Sequence, residues 1–190
     1  MRHNMLKNSL RLCLISASIF LLQNTYAHGA HNHGSAKINL GVQQTTATIQ
    51  MEMPAVSMYG FEHEAKTQND KKAVSEAVEK LKKNISQIVK LDSALGCTFS
   101  PNKIEPFVKD EDGDEDNMKD SKTKNKKIEG EHGDFRAEFN IKCQKDITGS
   151  KVTFQFKPFF PNIKQIDAQV LSNSTQSASK ITNDKGFLQL

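Results

Sequence analysis

The chain has 190 residues, a quarter of them charged, with 26 Lys+Arg against 22 Asp+Glu, no tryptophan, two tyrosines and three cysteines. Three of the cations, Arg2, Lys7 and Arg11, fall within the first 27 residues, which hold no acid, so the remainder is close to neutral. That balance offers no basic stripe for nucleic acid, and the length suits one domain.

Residues 1–27 read as an export signal. Arg2, Lys7 and Arg11 form a cationic start, "LCLISASIFLL" is an apolar run too short to span a bilayer comfortably, and Thr25-Tyr26-Ala27 is a plausible cleavage site. Cys13 sits at the start of the apolar run with apolar residues after it, which argues against lipid attachment. The expectation is an exported chain, with no membrane insertion after cleavage, whose first residue is His28. Residues 28–36 then form a His/Gly-rich leader, and residues 37–190 a single domain.

"INLGV" (38–42) and "TATIQMEM" (46–53) alternate apolar and polar residues, predicting a hairpin with one buried face. Pro54 and Gly60 bracket a turn before "FEHEA". From Asn69 to Leu91 the period changes: Val74, Val78, Leu81, Ile85 and Ile88 step by four and three along one face of an amphipathic helix. Asn69 or Asp70 is the expected cap at its start, with Gly96 just past its end. "CTF" begins another strand, and a polar segment at about 109–131 reads as a disordered charged loop. In "FRAEFNIKC", Phe135, Ala137, Phe139, Ile141 and Cys143 share the inward face. "KVTFQF", "QIDAQVL" and the stretch near "KGFLQL" supply further strands. The sum is an α+β domain, a largely antiparallel sheet with one long amphipathic helix packed on it.

Without Cys13, two cysteines remain in a compartment where disulfides persist, and Cys97 and Cys143 are expected to pair. A loop of that length is stabilised by roughly 3 to 4 kcal/mol on chain-entropy grounds.

Half of the six histidines lie in "HGAHNHG". His31 and His33 are two apart, so an extended chain puts both rings on one side, and His28 adds its own ring and a freed α-amine. Such nitrogen donors suit zinc, copper and nickel. Two further histidines sit beside carboxylates, in Glu62-His63-Glu64 and in Glu131-His132-Gly133-Asp134, the mixed donor set of an open zinc site. The two segments would make a better site if they met in space. The bland alternative for each is an ordinary loop histidine.

Asp112, Asp114, Asp116, Asn117 and Asp120 imitate the first nine positions of a calcium loop, but Thr123 stands where the closing glutamate belongs. No Ser-His-Asp constellation, phosphate loop or HExxH motif is present, and the reading is non-enzymatic. A copper brace built on His28 with His63 or His132 would need a rigidity that the flanking glycines Gly29 and Gly34 do not suggest.

Taken in order, "HGAHNHG", "GFEHEAKT" before a helix, "GC" after it, a long charged loop, "HGDF" opening a strand that ends in Cys, and "FFPNI" resemble the ZrgA-like periplasmic proteins, a family linked to zinc acquisition. The resemblance implies zinc as the bound ion and cooperation with the solute-binding protein of a zinc ABC importer. It supports His28, His31 and His33 as leader ligands and matches His63 and His132 to family histidines. Relatives commonly fill the central loop with histidines; residues 109–131 here contain none. The function expected is therefore a periplasmic zinc-binding accessory protein that captures or buffers zinc, weakening below about pH 6 as protons compete for imidazole. The alternative is an envelope interaction protein with incidental metal affinity.

Overall fold

The computed structural model describes residues 34–109, 132–173, 176–182 and 186–190. The expected signal, the leader histidines His28, His31 and His33, the calcium-like positions, and Glu131 lie outside the described residues.

The hairpin forms as its alternation requires. Strand β1 (Ser35–Gln43) pairs antiparallel with β2 (Thr46–Pro54), and the apolar residues of both strands are buried while their polar neighbours face out. Pro54 then caps a five-residue helix, α1 (Ala55–Tyr59), closed by Gly60 in the left-handed conformation at φ 94°. The segment bracketed by Pro54 and Gly60 is thus a helical turn, and "FEHEA" follows it.

Helix α2 (Gln68–Ile88) buries Ala77, Leu81, Ile85 and Ile88, with Val74 and Val78 half-buried on the same stripe. Its cap is Thr67 rather than Asn69 or Asp70: the Thr67 hydroxyl accepts from the Asp70 amide at 3.1 Å, and the Asp70 carboxylate accepts from the Thr67 amide at 2.9 Å. Those hydrogen bonds, the Thr67 amide foremost, hold the Asp70 carboxyl below its ordinary range. The helix also stops short of Leu91, because Val89 and Lys90 leave it to form β3 (Val89–Lys90) against a later strand. Gly96, at φ 61°, closes a separate 3-10 turn at Ser93–Leu95.

Strands β4 (Thr98–Lys109), β5 (Gly133–Lys142), β7 (Gln165–Leu171) and β8 (Gln176–Ile181) complete a six-stranded sheet in the order β4-β5-β2-β1-β7-β8. All its pairings are antiparallel except β1 with β7. A second, three-stranded sheet has the order β3-β6-β9, with β6 (Lys151–Phe154) and β9 (Phe187–Gln189). Strand β8, "QSASKI", escapes sequence pattern because it presents almost no apolar alternation. Pro101 and Pro106 interrupt the register of β4, as suits an edge strand that does not need every amide paired.

The core packs Phe135, Phe139, Phe154, Phe156 and Phe160 with the inward aliphatics of the large sheet and the stripe of α2. Cys97 and Cys143 form the expected disulfide, 2.02 Å between sulfurs, and Cys143 is buried as its place in the alternation requires. The opposite face carries one row of alternating charge across all six strands: Lys180, Asp167, Lys37, Glu52, Arg136 and Glu105. Among them, Lys37 meets Glu52 at 3.2 Å and Arg136 meets Glu52 at 3.0 Å.

Candidate metal centre

The register brings three chain segments to one end of the large sheet. Lys37 lies opposite Glu52, and Glu52 opposite Arg136, so the start of β1 at Ser35 is level with Pro54 and Asp134, which face each other. Neighbouring strands are about 4.8 Å apart, which puts the beginning of β1 about 10 Å from the beginning of β5. The leader joins the domain at that end. Gly34 makes the junction: its φ of 89° is open to glycine, an added Cβ would lie 2.8 Å from the Asn162 carbonyl oxygen, and its own carbonyl accepts from the amides of Lys164 and Gln165.

Beyond α1, the loop carrying Glu62 is anchored by a short aromatic ladder. The Tyr59 hydroxyl donates to the Pro106 carbonyl at 2.8 Å, tying the loop to β4, and burial pushes that hydroxyl up to about 12. Phe61 packs against the Tyr59 ring with centroids 4.6 Å apart, and His63 stacks on Phe61 at 4.6 Å, 19° from parallel. The Phe61 and His63 rings therefore lie together, and Glu62 between them reaches across to β5. Its Oε2 is 2.5 Å from Nδ1 of His132. The two histidine-bearing segments do meet in space, through Glu62 and His132.

His132 precedes β5, and the next residue has to be small. A Cβ on Gly133 would collide with the Phe107 ring, which covers the strand where Gly133 faces Lys109. Asp134, second in β5, is buried at 4% exposure, and no buried side-chain nitrogen or oxygen among the described residues lacks a hydrogen-bond partner. His63 is occupied differently from His132: its Nδ1 is 3.0 Å from the Glu64 carbonyl oxygen, on its own loop. Among the described residues no three His, Cys, Asp or Glu side chains converge as a complete ion cage. The groups that meet are one imidazole and one carboxylate, residue types found around zinc as a ligand and as the partner that orients a ligand. Of the residues expected from sequence, Glu62 and His132 are brought together, His63, Glu64 and Asp134 lie on the same two segments, and the leader histidines and Glu131 are outside the described region. Sequence reasoning passed over Tyr59 and Phe61 as the supports of this loop, although the alternation Tyr59, Phe61, His63 in "YGFEH" is the signal that would have found them.

Fold and site together define a disulfide-linked α+β sheet domain with an imidazole–carboxylate contact at the sheet end where a histidine-rich leader enters. The family model described as ZrgA family zinc uptake protein matches residues 30–190, and the chain belongs to that family. No curated protein matches the chain. No helix among the described residues is long and apolar enough to cross a membrane.

Proposed function

We propose that this protein is a non-enzymatic, periplasmic zinc-binding accessory protein, which captures or buffers zinc and passes it to the solute-binding protein of a high-affinity importer. Family membership carries the zinc uptake role. The observation that carries the capture role is the sheet register, which gathers the leader junction at Ser35, the Glu62 loop and His132 at one end of the domain. An extended chain advances up to about 3.4 Å per residue, so His31, three residues before Gly34, spans about 10 Å, the distance from β1 to β5. By that measure His31 has the length to meet a zinc ion held at His132, whereas His33, directly before Gly34, does not.

Calorimetric titration of the purified protein, stripped with chelator, tests this reading. Zinc should bind with micromolar or better affinity, and H28A/H31A/H33A should weaken it at least tenfold. An intact protein that takes up no zinc at micromolar concentration, and melts at the same temperature with or without the ion, would remove the capture role altogether.

A further inference from the structure

Glu62 and His132 are not equivalent members of their pair. The contact is made through Nδ1, at 2.5 Å from Oε2, so Nε2 is the ring nitrogen that this carboxylate does not engage. A neutral ring that gives its Nδ1 hydrogen to a carboxylate has its lone pair on Nε2. Burial is also unequal: the Glu62 side chain is 18% exposed and the His132 ring 52%. The carboxylate sits under the ring, and the ring is the member presented outward. Glu62 is itself immobilised from behind, because its neighbours Phe61 and His63 are stacked and Tyr59 is tied to Pro106.

From this geometry we infer that Glu62 is a positioning residue rather than a zinc ligand: it fixes the tautomer and orientation of His132, which coordinates through Nε2. The inference rests on the zinc reading above and deepens it. Carboxylate–imidazole pairs of this kind raise the basicity of the nitrogen that binds metal, and losing the carboxylate typically weakens metal binding by roughly 10- to 100-fold. A glutamine in its place keeps an amide oxygen that can accept the Nδ1 hydrogen, whereas as a direct ligand it would be nearly as poor as alanine.

The test compares E62A, E62Q and the unaltered protein by zinc titration and by the visible absorption bands of cobalt bound in place of zinc. Expected is a loss of roughly 10- to 100-fold in zinc affinity for E62A, recovery of most of it in E62Q, and cobalt bands at the same wavelengths in all three. E62Q as weak as E62A, or cobalt bands displaced in E62Q, would make Glu62 a ligand and overturn the inference while leaving zinc capture intact. Zinc affinity unchanged in E62A would reduce the contact to a structural ion pair, and also overturn it. An unaltered protein that binds neither metal defeats the functional reading itself, a result distinct from the others.

Discussion

Strand β5 is held at its two ends by different means. Past its last residue, Cys143 is joined covalently to Cys97, one step beyond the Thr98–Lys142 pairing that ends the β4–β5 ladder. Before its first residue, His132 meets a glutamate 70 positions earlier through a side-chain hydrogen bond. The covalent end uses side chains that have no further chemistry to offer, and it constrains the unfolded chain whatever the solution contains. The other end is a reversible contact between an imidazole and a carboxylate, the groups that zinc would engage under the function proposed above. A covalent link and a reversible one thus bracket the ten residues of β5.

Breaking the covalent end should have the largest effect on folding and almost none on the site. C97S/C143S should lose roughly 3 to 4 kcal/mol, about 10 °C in melting temperature for a domain of this size. Scanning calorimetry measures the loss, and the zinc affinity of the folded fraction should be unchanged. A parallel collapse of zinc affinity would show that the two ends are coupled. Altering the other end should do the reverse. H132A should weaken zinc binding on the order of 100-fold, about 2.7 kcal/mol, while the metal-free melting temperature moves by no more than a degree or two, since the ring is half exposed.

Smaller effects lie away from both ends. T67A removes the hydroxyl that accepts the Asp70 amide at the start of α2 and should cost about 1 kcal/mol by chemical denaturation. The acid limb follows from the same cap. Because hydrogen bonding depresses the Asp70 carboxyl in the folded chain, its contribution is present above the ordinary carboxyl range and lost as pH falls through the lowered folded value. D70N should therefore flatten the pH dependence of stability in acid, and an unaltered acid limb would show that Asp70 does not supply it. Least of all, E52Q, which interrupts the charged row between Lys37 and Arg136, should change stability by less than about 1 kcal/mol, an effect that added salt diminishes.

Much of the fold is written in local pattern. The alternation in β1, β2 and β5 and the four-and-three stepping of α2 identify which faces are buried, because side-chain direction follows directly from backbone period. The same alternation turns Cys143 inward, and cysteine count with export predicts its pairing. Less was legible where a segment's state depends on a distant partner. Val89 and Lys90 continue the helical pattern of α2 but become a strand because Phe154 and Thr153 stand ready to pair with them. Strand β8 exists because β7 offers its edge, and the parallel union of β1 with β7 joins residues about 130 apart.

By itself, then, the sequence determined the donor chemistry, the buried faces and the cysteine pair, since each of these follows from residue type or near-neighbour spacing. Only the tertiary structure decided that Glu62 meets His132, that Tyr59 and Phe61 brace the loop between them, and that the leader enters at the same end of the sheet. Those facts depend on strand order and register, which are set by the packing of segments far apart in the chain and leave no trace in any short window of residues.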